Sequence, residues 1–513
     1  MSGKRAIALI GFMAAGKTRA ARAIATELGE PVLDTDVMIA DRVGEPIRDF
    51  FEREGEGRFR EVEEAAVLEA LDGGAVVALG GGAVGSERVQ AALLESIPVW
   101  CRVRESVAWQ RAKGSGRPLA ADRARFSALF AERLPVYERL ARVTLPRGGE
   151  QTAKAAARWI ATLRRNDGLR IAWARTNSAE YPVIVGVGAG GLPGEVGTPR
   201  VGERLFAVAD PLALAGAAQL PTGCESVIEA AGGERSKTLQ EAGRVLAELA
   251  AAGARRDDAL LALGGGVVGD LVGFCSAVYQ RGIPVIQVPT TLVGQVDSAI
   301  GGKTGVDLPA AKNYVGAFHQ PAAVLADPGT LRSLPAAELA AGFAEVVKTA
   351  LIAGGELWER VRAMDGSRVE QLETVIFECA EAKVAVVAED ERDAGGRAVL
   401  NLGHTVGHAI EAVTGYERYR HGEAVALGLL ASLQLSGQTE LRSEVADLLG
   451  SAGLPTSLDA AVSPKEIVTA TGRDKKATAS GLGFVLLRSP GQVEHGVEVE
   501  PADLLAAVEG LRE

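Results

Sequence analysis

Histidine and cysteine are scarce in this chain, with five of the first and four of the second in 513 residues. Cys101, Cys224, Cys275 and Cys379 lie far apart with no CxxC pair, which argues against a disulfide framework and against a thiolate metal site. A reducing, cytoplasmic compartment fits. Positive charge is also in deficit. A formal net charge of -11 leaves no expectation of a surface that coats nucleic acid or an anionic membrane, while local basic pockets for small anions stay open. No apolar run reaches the ~20 residues that span a bilayer. The opening "MSGKRAIALIGFMAAGKT" has the basic flank and apolar run of a secretory signal, but cleavage there would destroy the glycine loop it runs into, so a leader is not expected. What is present is ordinary globular composition, 47% hydrophobic and 24% charged, in a chain long enough for two to four domains.

The first third alternates short apolar strands with amphipathic helices. A strand at Ala6 to Ile10 leads through a glycine turn to a helix over Lys17 to Leu28, then to "PVLDTD", a charged helix carrying "FEREGEGRFREVEEAAVLEAL", and the strand of "GAVVALGGG". This pattern predicts a parallel sheet covered on both faces. A last helix, "EQTAKAAARWIATLRR", stops at "NDG", which places a first domain at residues 1–165 and a linker at 166–178. A second α/β pattern over 179–334 runs through "YPVIVGVGAGG", "RLFAVAD", "DDALLALGGGVVGD" and "IPVIQVPTT". From Pro335 long stretches such as "AAELAAGFAEVVKTALIAG" predict an all-helical third domain over 335–513.

"GFMAAGKT", Gly11 to Thr18, matches G-x-x-x-x-G-K-S/T between a predicted strand and a predicted helix. In such a loop the backbone N–H groups of Ala14, Ala15 and Gly16 wrap phosphate oxygens, Lys17 reaches the outer phosphates, and the Thr18 hydroxyl can ligate magnesium. The acceptor must come from elsewhere. Asp34 and Asp36 of "LDTD" fall beside the loop, where one carboxylate can orient magnesium water and the other accept a hydroxyl proton; the pair fits a helix cap equally well. Gly81 and Gly82 permit close backbone approach to a ligand, and Arg60, Arg117 and Arg133 are cations that individually read as surface.

Together with Phe59 to Glu64, "LGGGAV", "GRPLA" and "ERLPVYERLA", these pieces resemble shikimate kinase over residues 1–165. The resemblance implies a P-loop kinase domain in which Asp36, Arg60, Gly81, Gly82 and Arg133 hold shikimate, with Asp36 at the hydroxyl to be phosphorylated by magnesium ATP. It also implies that Arg117 closes over the phosphates from a lid that excludes water. Ala14 stands where the family often has glycine, and "RPLA" replaces "RPLL"; neither change removes a charged contact.

"LGGGVVGD" contains G-x-G-x-x-G at Gly264, Gly266 and Gly269 after the strand "ALLAL", without the acidic residue about 20 positions on that marks a ribose partner. Alone it also fits a packed strand-to-helix turn. Glu234, Lys237, Thr290 and Thr291, with Lys303, Lys312 and Asn313 in glycine-flanked loops, favour a ligand. His404, His408 and His421 lie in one short stretch flanked by Glu411 and Glu423. The first two are four apart and share a helix face, which predicts a metal or anion site. Position 405 is Thr, so the glutamate of a metalloprotease helix is missing.

From about residue 179 onward the chain resembles 3-dehydroquinate synthase, through "GGGVVGDLVGF", "YQRGIPVIQVPTTLVGQVDSAIGGKTGV", "KNYVGAFHQP", "GFAEVVK", "ERDAGGRAVLNLGHTVGHAIE", "HGEAVALG" and "RDKK". The resemblance implies a Rossmann-like NAD-binding α/β domain followed by the helical metal-binding domain. Glu345, His404 and His421 would bind zinc or cobalt. NAD would contact Glu234, Lys237, Gly266, Val267, Val268, Gly269, Asp270, Thr290, Thr291, Lys303 and Lys312. Arg281, Lys303, Asn313, Asn401, His408 and either Lys475 or Lys476 would hold the phosphate of 3-deoxy-D-arabino-heptulosonate 7-phosphate, and Lys383 and Arg397 its carboxylate, with Asp297, Lys303 and Lys383 at the chemistry. In that reaction NAD removes and returns a hydride around an elimination of phosphate, and ring opening and aldol closure follow. A homodimer through the synthase half would be compatible.

The expectation is thus a bifunctional enzyme of the shikimate pathway acting on small molecules, without nucleic acid or membrane partners. Two rivals stand beside it: another small-molecule P-loop kinase fused to a metal-dependent polyol dehydrogenase, and a nucleotide-sensing module without turnover. Lys303, Lys383 and Arg397 have no task with an uncharged polyol, and Asp36, Arg60 and Arg133 have none in a sensor.

Overall fold

A computed structural model of the chain describes residues 4–113, 122–146, 149–194, 201–216, 218, 220–309, 311–366, 368–477 and 483–512. The chain forms two compact units. The first holds Met1–Arg175 and Glu180–Ile184; the second holds Thr176–Ala179, Val185–Gly194 and Val201–Glu513.

In the first unit the strands are β1 (Ile7–Ile10), β2 (Val32–Asp34), β3 (Val76–Ala78), β4 (Ile97–Cys101), β5 (Val143–Leu145), β6 (Arg170–Arg175) and β7 (Glu180–Val185), in the spatial order β2-β3-β1-β4-β5-β6-β7. β1 pairs in parallel with both β3 and β4. All four of its residues are buried, as expected of a strand covered on both faces. Chain order reverses on either side of β1, and the crevice beyond the carboxyl ends of such strands is where ligands bind in open α/β sheets. The helix Lys17–Leu28 starts there, behind a loop that only glycine can build at two points. Gly16 has φ 93, and a Cβ on Gly11 would stand 2.7 Å from the Cys101 carbonyl oxygen.

Residues 166–178, expected as a linker, instead include β6, which pairs in parallel with β5. Its middle residues, Ile171 to Ala174, are buried. The helical glutamate-rich segment spans Ile47–Asp72 and breaks its helical geometry at Gly55, with φ 82 and ψ 172.

The second unit begins with a parallel sheet of β8 (Leu205–Ala209), β9 (Cys224–Glu229), β10 (Ala259–Gly264), β11 (Val285–Pro289) and β14 (Ala323–Ala326), ordered β14-β11-β10-β8-β9. An antiparallel hairpin of β12 (Lys303–Leu308) and β13 (Ala311–Phe318) stands apart from it. β10 is buried throughout and delivers the chain to the helix Gly266–Val278. Long helices follow, among them Ala336–Ala353, Val369–Glu389, His404–Val413 and His421–Leu435. Ala336–Ala353 is buried on all sides over most of its length, the mark of a helix at the centre of a helical layer. The expectation of an all-helical third domain needs one correction. β15 (Phe484–Ser489) and β16 (Gln492–Val497) form an antiparallel hairpin, turned at Pro490 and Gly491, where Gly491 takes the left-handed φ of 85. Among the described residues no helix is long and apolar enough to cross a membrane.

Candidate active sites

In the first unit a cavity of about 1060 Å³ opens over the carboxyl ends of β1, β3 and β4. Lys17 is buried at its floor and donates from Nζ to the carbonyls of Gly11 at 2.8 Å and Phe12 at 3.1 Å. Thr18 Oγ1 donates to Asp34 Oδ2 at 2.8 Å, while Asp34 Oδ1 accepts from the Asp36 backbone N–H at 3.0 Å. Asp34 therefore does cap the helix Thr35–Val43, and it also grips the hydroxyl of the phosphate loop. Asp36 lines the cavity together with Arg60, Arg133, Gly81 and Gly82. Arg133 Nη1 and the Tyr137 hydroxyl both donate to the Gly81 carbonyl, at 2.9 and 2.7 Å. A Cβ on Gly82 would lie 2.2 Å from Arg60 Nη1, so the bare backbone there makes room for the guanidinium.

Glu63 was not singled out from the sequence, yet it is buried beside Arg60, with which it pairs, and burial pushes its carboxyl above the usual range while Arg60 works against that shift. Its i,i+3 spacing from Arg60 shows in the sequence, but such a pair reads there as a solvated helix face. Ala14 and Ala15 line the same cavity, and Arg111 donates to the Ala14 carbonyl at 3.3 Å. Arg117 lies outside the described residues.

In the second unit three elements meet at Glu345. His404 starts the helix His404–Val413, His421 starts the helix His421–Leu435, and Glu345 projects from the middle of Ala336–Ala353. His404 Nε2 and His421 Nε2 lie 3.6 and 3.4 Å from Glu345 Oε1, and one donor atom from each of the three residues falls within 4.8 Å of the others. That oxygen is buried and accepts no hydrogen bond among the described residues. A carboxylate and two imidazoles aimed at one point, with an oxygen left unsatisfied, fit a divalent cation that keeps a further position open.

The electrostatics around Glu345 are steep. Burial opposes its charge, but Lys348 and the two imidazoles hold its carboxyl well below the usual range. Burial, reinforced by Lys348, pushes the His404 imidazole down to about 3. Burial would lower His421 as well, yet the carboxylates of Glu345 and Glu411 on either side raise it to about 10. Lys348, fully buried, also lies 3.8 Å from Asp297 Oδ2. Asp297 accepts from Lys383, whose ammonium burial lowers to about 8. The stretch "GFAEVVK" does not single out Lys348, because an i,i+3 Glu–Lys pair ordinarily reads as a solvated helix face, and only its packing shows otherwise.

Arg397 Nη1 donates to the Gly301 carbonyl at 3.0 Å, and Lys303, two residues on, pairs with Asp393. Lys237 Nζ donates to Asp270 Oδ2 at 2.6 Å and also to the Asn313 side chain. Lys312 Nζ lies 3.4 Å from Glu234 and 3.6 Å from Glu411. At the start of the helix Gly266–Val278, a Cβ on Gly265 would meet Thr291 at 2.9 Å and one on Gly266 would meet Ser298 at 2.8 Å. The glycine pattern thus does build a packed strand-to-helix turn, and it presents a helix N-terminus at the end of β10 as well. Gly269 packs close to Gln287, Val268 is fully buried, Val267 is partly so, and the Thr290 N–H donates to the Gly264 carbonyl at 2.9 Å. His408 stands one turn beyond His404, its ring 5.2 Å from that of His404 and 5.9 Å from that of His421. Asn401 ends the turn Gly396–Asn401 just before His404. Arg281 is exposed in the turn Tyr279–Arg281, with φ 70, and no ion pair joins it to the cluster among the described residues. Lys475 and Lys476 fall in the helix Pro464–Ala477, and their side chains lie outside what the structure describes.

Comparison with known proteins follows the same division. Residues 227–341 match the family model for the 3-dehydroquinate synthase N-terminal domain and 342–477 that for its C-terminal domain. The 3-dehydroquinate synthase of Desulforamulus reducens is 44% identical over 293 residues, which are 55% of this chain and 81% of that protein. The chain belongs to the 3-dehydroquinate synthase family. Residues 13–164 match the shikimate kinase family model, so models of two enzyme families match separate parts of the polypeptide. Among solved structures, a 2-deoxy-scyllo-inosose synthase complexed with carbaglucose-6-phosphate, NAD+ and Co2+ is 25% identical, with TM-score 0.58, covering 66% of this chain and 99% of that one. The 2-epi-5-epi-valiolone synthase ValA of Streptomyces hygroscopicus subsp. jinggangensis, with NAD+ and Zn2+ bound, is 26% identical, with TM-score 0.54, covering 60% and 90%.

Proposed function

We propose that the first unit phosphorylates shikimate to shikimate 3-phosphate with ATP and magnesium. The synthase unit would convert 3-deoxy-D-arabino-heptulosonate 7-phosphate to 3-dehydroquinate and phosphate with NAD and zinc or cobalt. The observation that carries the synthase reading is the convergence of Glu345, His404 and His421 within 4.8 Å. It is supported by family membership and by the NAD+ and Zn2+ or Co2+ held by the two solved relatives. When bound, the cation lowers the pKa of neighbouring substrate hydroxyls and the nicotinamide exchanges a hydride with the substrate.

The chain's own residues would do the rest. Lys383 and Arg397 hold the substrate carboxylate; Lys303, Asn313, Asn401, His408, Arg281 and Lys475 or Lys476 hold the phosphate end. The helix N-terminus at Gly266 would hold the dinucleotide pyrophosphate, and Glu234, Lys237, Asp270 and Lys312 would hold the remainder of NAD. Asp297 draws Lys383 and Lys348 into one cluster, which keeps cationic charge beside the reacting hydroxyls. An uncharged polyol would offer these cations no anionic group to hold, so a sugar acid phosphate is favoured.

In the kinase unit Lys17 and the loop N–H groups cradle the ATP phosphates, and Thr18 with Asp34 holds magnesium or its water. Asp36 accepts the proton of the shikimate hydroxyl, while Arg60 and Arg133 grip its carboxylate. The four cysteines are free thiols, consistent with a cytoplasmic enzyme.

Purified full-length protein should transfer phosphate from ATP to shikimate, and should release phosphate from the heptulosonate phosphate only with NAD and a divalent cation. Failure of either assay in folded protein overturns that half of the reading.

A further inference from the structure

Glu411 stands between two groups that the reading above assigns to different ligands. It is buried on the helix His404–Val413, two turns beyond His404 and on the same face. Its Oε2 lies 3.2 Å from His421 Nδ1, while its Oε1 lies 3.6 Å from Lys312 Nζ. Lys312 is held in turn 3.4 Å from Glu234 and 4.3 Å from the centre of the Tyr416 ring. We propose that Glu411 is a positioning residue with two tasks: it fixes His421 in the tautomer that ligates the cation, and through Lys312 it links cation binding to dinucleotide binding. The proposal rests on the metal-site reading.

The first task follows from the donor geometry. A carboxylate accepts only from a protonated nitrogen, so the contact keeps a proton on Nδ1 and makes Nε2, the nitrogen that faces Glu345 Oε1 at 3.4 Å, the one that would give up its proton to a cation. Such a carboxylate also fixes the plane of the ring and raises the basicity of the ligating nitrogen. His404 has a neutral counterpart of this support: its Nδ1 lies 3.3 Å from the backbone carbonyl of Leu402, which can fix the tautomer without adding charge.

The second task follows from sharing one carboxylate. When a dinucleotide draws Lys312 away, less of the Glu411 charge is neutralised and Glu411 becomes a stronger acceptor for His421. The dinucleotide should therefore tighten cation binding, and by reciprocity the cation should tighten dinucleotide binding by the same factor.

The test is competitive titration of zinc into full-length, cation-free protein with a chromophoric chelator, with and without NAD. Thermal unfolding of each cation-free variant controls for structure. Wild type should bind one zinc at the synthase site, about 5-fold or more tightly with NAD. Glu411→Ala should keep that stoichiometry and bind about 10- to 100-fold more weakly. Glu411→Gln, whose amide oxygen still accepts from Nδ1 but carries no charge for Lys312, should keep most of the affinity and lose the NAD effect; it also serves if Glu411→Ala does not fold. Unchanged affinity in Glu411→Ala, or an unchanged NAD effect in Glu411→Gln, beside a lost site in His404→Ala overturns this proposal alone. Wild-type affinity in His404→Ala overturns the metal-site reading and this proposal with it.

Discussion

Lys348 is ion-paired with Glu345 one helical turn before it, and both side chains are buried, at 1% and 0% exposure. A lysine so placed holds the charge of a carboxylate that two imidazoles also face. Removing one partner of a buried pair leaves an uncompensated charge, typically at a cost of about 3–5 kcal/mol. Lys348→Met should lose about that much stability in chelator-treated protein, measured by denaturant unfolding, and added zinc should recover part of it by supplying the missing positive charge at Glu345.

Asp36 should matter to one reaction only. Asp36→Asn keeps the size of the side chain but removes the proton acceptor, so kcat for shikimate phosphorylation should fall by roughly 10²–10⁴. Phosphate release from the heptulosonate phosphate should not change. Steady-state assays of both reactions on the same preparation check this.

Chelation should divide the activities in the opposite sense. Protein stripped with a strong chelator and returned to buffer with excess magnesium should phosphorylate shikimate at the wild-type rate and release no phosphate from the heptulosonate phosphate until zinc or cobalt is added. Full synthase activity in stripped protein with magnesium alone would show that the Glu345, His404 and His421 cluster serves no transition metal.

A pH test is available away from either cluster. Arg164 donates twice to Glu30, at 2.6 and 2.8 Å, and this pairing holds the Glu30 carboxyl below the usual range against the cost of burial. A depressed carboxylate pKa contributes stability above the unfolded value, and that contribution is lost as pH falls through the folded one. Glu30→Gln should therefore lower stability at pH 7 by about 1.5–3 kcal/mol, as for hydrogen bonds to charged groups. The difference from wild type should narrow below about pH 4.5.

The sequence made the phosphate loop and the helix Lys17–Leu28 legible because a glycine at the N-cap and glycine at the C-cap mark both ends locally. His404 and His408 were legible as one face because helical spacing is local too. β6 was not, since "RIAWAR" follows a strong helix stop, and its place in the sheet between β5 and β7 depends on pairing that no local pattern shows. The hairpin at Phe484–Ser489 and Gln492–Val497 carried a Pro-Gly turn signal that the helical run before it obscured. Glu63 and Lys348 were hidden for one reason: each sits at i,i+3 from an opposite charge, and only tertiary packing turns such a pair from a solvated face into a buried one.

The proposed function requires two separate sites, one for ATP and shikimate and one for NAD and a divalent cation, that act independently in one chain. Its most direct test is to assay both reactions on folded Lys17→Ala and on folded His404→Ala. Lys17→Ala should lose only shikimate phosphorylation and His404→Ala only phosphate release from the heptulosonate phosphate; loss of both activities in either folded variant would contradict independent sites.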